Sequence, residues 1–315
     1  MQSKLAIAIV GPTASGKSSF ALKLAQVLGG ELVCMDSATV YRGFDIGSSK
    51  PTKEDQSHVP HHLLDILDPD ATFSAYDFVQ KAEATILDIQ KRGKIPIVVG
   101  GTYFYLRALQ KGMYPQALIP NEVLEQIDAE FFENETVNTE KMHAALAEKD
   151  PEAAKQIHPN DRYRLQRALA ILRTSGNLPS QLKPAHLSDE QSKRVWMKYA
   201  MAISRHTLSA HIVSRTDEMI RQGLVEETRA LREKYPQSRA LGSIGYAEAC
   251  AFLDKKLNDK QLRNEIIEKT RQLSKRQITW LRSDPEIRYI DDRDLDRVLL
   301  EVSNLRFAMG ETKTA

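Results

Sequence analysis

The stretch Gly11-Pro12-Thr13-Ala14-Ser15-Gly16-Lys17-Ser18 narrows the choice of fold more than anything else in the 315-residue chain, because it separates two segments of different periodicity. Before it, Leu5-Ala6-Ile7-Ala8-Ile9-Val10 is a continuous apolar run, the pattern of a strand covered on both faces. After it, Phe20, Leu24, Val27 and Leu28 recur at helical spacing, and Gly29-Gly30 supplies a stop. The eight residues match G-x-x-x-x-G-K-[ST] in the strand-to-helix context that this motif requires. Consecutive backbone N–H groups in such a turn form a concave nest, and the following helix N-terminus adds partial positive charge. Lys17 contributes a full charge, and Ser18 offers a hydroxyl to a phosphate-bound Mg²⁺. The motif reads polyphosphate and leaves open ATP, GTP or a diphosphate ester.

The alternation continues. Leu32-Val33-Cys34-Met35 reads as a second short strand ending at Asp36. Ser74 and Asp77 form a capping-box-like start for a helix with Phe78, Val79, Ala82, Ile86 and Ile89 on one face. Ile95–Val99 is a further buried strand, closed by Gly100-Gly101-Thr102. Strands alternating with helices imply an α/β core with a parallel sheet. Beyond Gly112 the pattern changes: residues 121–174 read as helical with no convincing strand. Met113–Asp150 holds nine acidic and two basic residues, whereas Lys155–Arg173 carries five basic residues against the single acid Asp161. This charge inversion marks an inserted lobe with one face toward an anion. Pro179 and Pro184 mark its exit, Val195–Ser204 returns as a strand, and helices follow over Ser209–Tyr235 and Lys260–Leu281. The expected organisation is a core of 1–112 with 190–315 and a helical insertion over 113–189. Glu311–Ala315 is expected to fray.

Composition excludes several classes. With 42% hydrophobic and 27% charged residues, and 28 Gly plus Pro in total, the chain is neither disordered nor collagenous. Two cysteines, Cys34 and Cys250, cannot build a disulfide scaffold or a four-thiolate zinc site. No run approaches about 18 apolar residues, and the N-terminus lacks a secretory layout, so no membrane partner and a cytoplasmic address are expected. His61 and His62 are expected to be structural or hydrogen-bonding rather than metal-ligating.

Asp36 lies where the second strand ends, at the sheet edge that also carries the phosphate loop. A carboxylate there can take a proton from an acceptor or approach Mg²⁺ indirectly. The plainer alternative is a turn Asp bonded to Ser37. Two basic stretches stand out: Tyr163-Arg164-Leu165-Gln166-Arg167, with its two arginines on one helical face, and Arg271 to Arg282, which contains no acid. Each reads as a nucleic-acid surface or as an ordinary solvated face. Trp280 within the second stretch is more often a core residue than a base-stacking one.

Taken in order, these motifs strongly resemble the tRNA dimethylallyltransferases, or tRNA isopentenyltransferases, of bacterial type. The phosphate loop is followed by Asp36-Ser37-Ala38-Thr39-Val40-Tyr41, Gly43-Phe44-Asp45-Ile46-Gly47 and Val59-Pro60-His61-His62. Val99-Gly100-Gly101-Thr102, Ile157-His158-Pro159-Asn160-Asp161, Ile244-Gly245-Tyr246 and Lys275-Arg276-Gln277-Ile278-Thr279-Trp280-Leu281-Arg282 complete the set. The resemblance implies a P-loop nucleoside-triphosphate-hydrolase-like core and transfer of a dimethylallyl group from its diphosphate to N6 of an adenosine beside the tRNA anticodon. It implies a diphosphate on Gly11–Ser18 with Mg²⁺ on Ser18, Asp36 as base, Thr13 on the diphosphate, Thr102 beside the base, and Arg215 closing on the diphosphate. By the same resemblance, the anticodon stem-loop meets Asp36–Thr39, Thr102, Tyr163–Arg167, Gly245, Tyr246 and Lys275–Arg282. The target base flips out of its stack, and no obligate protein partner is implied, a monomer being the plain expectation. The zinc finger of eukaryotic relatives is missing from this sequence.

Some positions depart from the family pattern. Thr39 stands where glutamine is frequent, which would alter one RNA contact. Tyr103 replaces a common glycine and is expected to narrow the base pocket. Ser48-Ser49 replaces Thr-Ala, and Ser274 and Leu281 replace a frequent alanine and phenylalanine. The competing readings are a phosphate-loop kinase, a prenyl transferase for free adenine nucleotides, and a non-catalytic RNA-binding protein.

Overall fold

The computed structural model describes residues 4–112, 119–182, 191 and 193–311. The chain divides into two compact units, Met1–Gln110 with Ser188–Ala315, and Lys111–Leu187. Pro184 and the expected boundaries at 113 and 189 lie outside the described residues, as do residues 312–315 of the expected frayed end.

The first unit is α/β, built on a six-stranded parallel sheet. Its strands are β1 (Leu5–Val10), β2 (Glu31–Met35), β3 (His61–His62), β4 (Pro96–Gly100), β7 (Val195–Met201) and β8 (Arg288–Ile290), in the spatial order β3-β2-β4-β1-β7-β8. Every residue of β1, β2 and β4 is buried, as the unbroken apolar runs require. Because the strands are parallel, the loops after β1, β2, β4 and β7 all emerge at one edge. Gly100 allows β4 to lie close against β2, since a Cβ there would overlap the Met35 carbonyl. The sheet packs against α1 (Lys17–Leu28) and the C-terminal α13 (Leu295–Ala308), and α3 (Ala75–Lys91) touches β2 and β4; α4 (Tyr103–Lys111) follows β4, and α9 (Arg205–Arg221), α10 (Leu224–Lys234), α11 (Tyr246–Leu253) and α12 (Asp259–Arg282) pack against one another. A short α2 spans Lys53–His58. The capping box at Ser74 and Asp77 forms as its spacing predicts.

The second unit packs α5 (Asn121–Glu130), α6 (Thr139–Lys149), α7 (Pro151–Gln156) and α8 (Arg162–Ser175) around Ile127, Met142, Leu146, Leu165 and Leu169. It also contains the small hairpin β5 (Phe132–Glu133) and β6 (Thr136–Val137), where the sequence suggested no strand. Asn134 and Glu135 both take positive φ to make its turn, and Glu is an uncommon residue for that conformation.

Other expectations need correction. The helical stretch expected over Ser209–Tyr235 is two helices, α9 and α10, broken at Gly223 with φ 101°. The returning strand ends at Met201 rather than Ser204, and Ser204 instead caps α9 by accepting from the Thr207 N–H at 3.0 Å. The strands β3 and β8 and the helices α11 and α13 carried no sequence expectation.

Candidate active site

The phosphate loop folds back on α1 through Ala14 and Gly16, which both take positive φ (64° and 85°). Lys17 donates to the Pro12 carbonyl at 3.2 Å, so its ammonium lies over the loop. Arg215, from α9, donates to the Thr13 hydroxyl at 2.9 Å. Among the described residues neither cation forms an ion pair. Burial pushes the Lys17 amine down to about 8, with Arg215 reinforcing the shift and Asp36 opposing it. Burial also lowers Arg215, again opposed by Asp36. Two partly buried cations facing one loop, neither in an ion pair, make an anion site.

Asp36 follows β2 at the same edge. Its Oδ1 accepts from the N–H groups of Ala38 (2.8 Å) and Thr39 (3.3 Å), while Oδ2 accepts none. The turn-forming and proton-accepting readings are therefore compatible, one oxygen each. The turn bonds run to Ala38 and Thr39 instead of Ser37. Ser37 is exposed and Ala38 half-buried. Thr39 is buried and its hydroxyl has no partner, so its side chain cannot make the RNA contact expected at this position. Thr102 begins the turn into α4, its carbonyl accepting from the Tyr105 N–H at 2.8 Å.

Gln277 ties the two sides together. Its Oε1 accepts from the Thr13 N–H at 2.9 Å and its Nε2 donates to the Gly101 carbonyl at 3.1 Å. Each end of its amide thus makes one bond inside the protein, beside the RNA contact expected of this side chain. Sequence alone gave no sign of this, because the partners are 264 and 176 positions away.

Elsewhere on α12, Lys275, Arg276, Thr279 and Arg282 are exposed. Trp280 is 37% exposed, so it is a surface aromatic and not the core residue that its spacing favours. Ile278 packs against the Leu208, Ile212 and Ile267 cluster, and Leu281 is buried, so neither side chain is free for RNA. Gly245 and Tyr246, both expected at the RNA surface, are buried: the Tyr246 ring lies 4.7 Å from that of Phe44 and its hydroxyl donates to Glu227 at 2.6 Å. Tyr103, expected to narrow the base pocket, is buried. Its hydroxyl donates to Asp284, which also receives Lys198 at 2.6 Å, and this network holds the end of α12. Beside Pro12, a cavity of about 870 Å³ has both apolar lining (Leu208, Ile212, Ile278) and cationic lining (Arg205, Lys275, Arg282), which suits a small amphipathic anion.

In the second unit, α8 presents Tyr163 (69% exposed), Arg164, which pairs with Asp161 at 3.2 Å, and the half-buried Arg167. Leu165 is buried in the core of that unit, and the Gln166 amide donates to the Leu124 carbonyl at 3.1 Å. Leu165 thus anchors the helix in its unit, and Gln166 ties it to α5. His61 bonds the Val59 carbonyl and His62 bonds Glu31, both at 2.7 Å, which are structural contacts.

Comparison with known proteins bears on this arrangement. A family model described as IPP transferase matches residues 39–284. A tRNA dimethylallyltransferase of Geobacter metallireducens is 41% identical over 90% of this chain and 92% of its own. One from Xanthomonas campestris is 40% identical over 99% and 97%. Among solved structures, a tRNA delta(2)-isopentenylpyrophosphate transferase of Staphylococcus epidermidis is similar with a TM-score of 0.67 and 33% identity, covering 95% of this chain and 99% of its own. A eukaryotic dimethylallyltransferase crystallised acting on tRNA has a TM-score of 0.79 and 27% identity, covering 99% of this chain and 81% of its own. With the phosphate loop, the paired cations and the facing carboxylate in the first unit, and matches of this extent, the chain belongs to the IPP transferase family.

Proposed function

We propose that the chain transfers a dimethylallyl group from dimethylallyl diphosphate to N6 of adenosine 37, beside the anticodon of tRNA, and releases diphosphate. The observation that carries this reading is the pair of cations outside any ion pair, Lys17 and Arg215, over a phosphate loop whose sheet edge also bears Asp36 with an open oxygen. The relatives named as tRNA dimethylallyltransferases support both donor and acceptor.

The C–O bond to the diphosphate breaks as the N6–C bond forms, and the N6 proton passes to Asp36 Oδ2. An exocyclic aromatic amine is a weak nucleophile, so alignment and base assistance both count. Negative charge grows on the leaving diphosphate, where Lys17, Arg215, the Thr13 hydroxyl and those amides of Gly11–Ser18 not engaged within the protein stabilise it. Ser18 is exposed on the first turn of α1 and its hydroxyl makes no hydrogen bond, which suits Mg²⁺ held mainly by water and phosphate oxygens. Among the described residues no group of three or more His, Cys, Asp or Glu could hold a metal. Mg²⁺ bound there neutralises diphosphate charge.

The adenosine flips out to reach Asp36 and Thr102. Ser37, Ala38, Lys275, Arg276, Thr279, Trp280 and Arg282 bear on the anticodon stem-loop, as do Tyr163, Arg164 and Arg167 of the helical insertion. The protein acts in the cytoplasm as a monomer without an obligate protein partner; among the described residues no helix is long and apolar enough to cross a membrane.

The test is transfer from labelled dimethylallyl diphosphate to unmodified tRNA with Mg²⁺ and without ATP, read by nucleoside mass spectrometry. Label on N6 of adenosine 37 is expected. Label on free AMP or ADP alone, or phosphoryl transfer from ATP with no prenylation, overturns the reading.

A further inference from the structure

We propose that Gln277 is a positioning residue that keeps the donor loop and the acceptor-side strand end at a fixed separation during transfer; the proposal rests on the dimethylallyl-transfer reading above. The orientation of its amide is forced by its neighbours. The Thr13 N–H can only meet an acceptor, so it faces Oε1 at 2.9 Å; the Gly101 carbonyl can only meet a donor, so it faces Nε2 at 3.1 Å. The group is planar, so these two bonds form a short rigid bracket between the loop after β1 and the loop after β4.

The two anchored points flank the reaction. Thr13 also receives Arg215 on its hydroxyl at 2.9 Å, so fixing its peptide fixes the cation that faces the leaving group. Gly101 immediately precedes Thr102. Gly101 is itself shaped to the bracket: a Cβ there would overlap Nε2 of Gln277. The bracket stands on a well-anchored support. Helix α12 packs Ile278 on one side, buries Leu281, and is followed by Asp284, which holds both Tyr103 and Lys198. A displacement needs its nucleophile and leaving group in line, and a misplacement of about 1 Å can cost about 100-fold in rate.

The same helix presents Lys275 and Arg276 outward, next to Gln277 in sequence. Simple RNA contact is therefore the competing role for Gln277, and the two make opposite demands on kinetics. Positioning acts in the transition state and appears in kcat; RNA contact appears in tRNA affinity.

The experiment compares Gln277→Met, Gly101→Ala and the double variant with the unaltered protein. It measures kcat, the KM for each substrate, the tRNA Kd and the thermal midpoint. Gln277→Met preserves length and volume and removes both bonds. Gly101→Ala leaves the glutamine but displaces it. Each single variant is expected to lower kcat by about 30- to 100-fold. Donor KM and tRNA Kd should stay within about threefold, and the double variant should lose little more than either alone, because both break one bracket. A loss in the double variant equal to the product of the single losses overturns the proposal. So does a tenfold rise in tRNA Kd with kcat retained, or an unchanged kcat. If Gln277→Met does not fold, Gln277→Glu carries the test: it keeps an acceptor for Thr13 and sets an oxygen against the Gly101 carbonyl. Absence of transfer by the unaltered protein counts against the proposed function and is read separately.

Discussion

Lys17 gives the most quantitative handle on the donor site. Its amine is pushed down to about 8, chiefly by burial and then by Arg215, with Asp36 pulling the other way. A diphosphate binds the ammonium in preference to the neutral amine, so binding raises this value. Donor affinity is therefore at its plateau below pH 8 and falls as pH climbs through that point. At pH 9 about nine-tenths of the free protein carries neutral Lys17, an affinity loss of about tenfold, or about 1.4 kcal/mol; a further unit costs about another tenfold until the bound-state value is reached. The last ionisation of a phosphate ester lies near 6, outside this window. Calorimetric titration of dimethylallyl diphosphate across pH 7–10, in buffers of different ionisation heat, reads both the affinity and the uptake of up to about one proton. Lys17→Arg keeps the charge without the titration and should give a flat profile. A flat profile in the unaltered protein, or the same slope surviving in Lys17→Arg, would refute the argument.

Other substitutions test the remaining parts. Asp36→Asn retains an oxygen for the Ala38 and Thr39 amides but loses the base, so kcat should fall about 100- to 1,000-fold while tRNA binding holds; an equal loss of both would remove Asp36 from the chemistry. Arg164→Ala with Arg167→Ala should weaken tRNA binding and flatten its salt dependence by up to about two counterions, measured by filter binding over a salt series; an unaltered slope returns α8 to an ordinary solvated face. Buried Glu31 accepts from Arg92, Lys94 and His62, with Arg92 the largest of the influences that hold its carboxyl well below the usual range against the opposing effect of burial. Its contribution is present above the unfolded-state value near 4.3 and is lost as pH falls through the folded one. Glu31→Gln should therefore cost about 2 kcal/mol in denaturant melts at neutral pH and less near pH 2; an equal cost at both would deny the ionic origin.

How far the sequence carried depended on whether a residue's environment was local. The phosphate loop, the three central strands and the Ser74 capping box were legible because each is written in a few adjacent residues. Edge strand β8 was not, since only Ile290 of its three residues is buried and no alternation can show. At the site, Lys17 and Asp36 could be read from motif and position, and Arg215 from family resemblance. Gln277, Tyr103 and Tyr246 could not, because their hydrogen-bond partners lie far along the chain or in another element. The amide of a polar residue in a basic stretch and the hydroxyl of a tyrosine beside the acceptor threonine both bond to partners that no local pattern announces.

The strand order β3-β2-β4-β1-β7-β8 has a consequence for how this protein is made. On the ribosome, β1, β2 and β4 emerge early, yet the other neighbour of β1 is β7. About 95 residues separate Gly100 from Val195, some 5–20 s of synthesis, during which one side of β1 has no strand to pair with. That interval is filled by the helical unit, which has its own apolar centre and can fold while the sheet waits. Arg215 and Gln277 come later still, 202 and 264 positions after the threonine they grip. The nascent chain thus presents a phosphate loop long before it has a working centre, and translational pausing after β4 would prolong the life of a half-sheet with an unprotected apolar border.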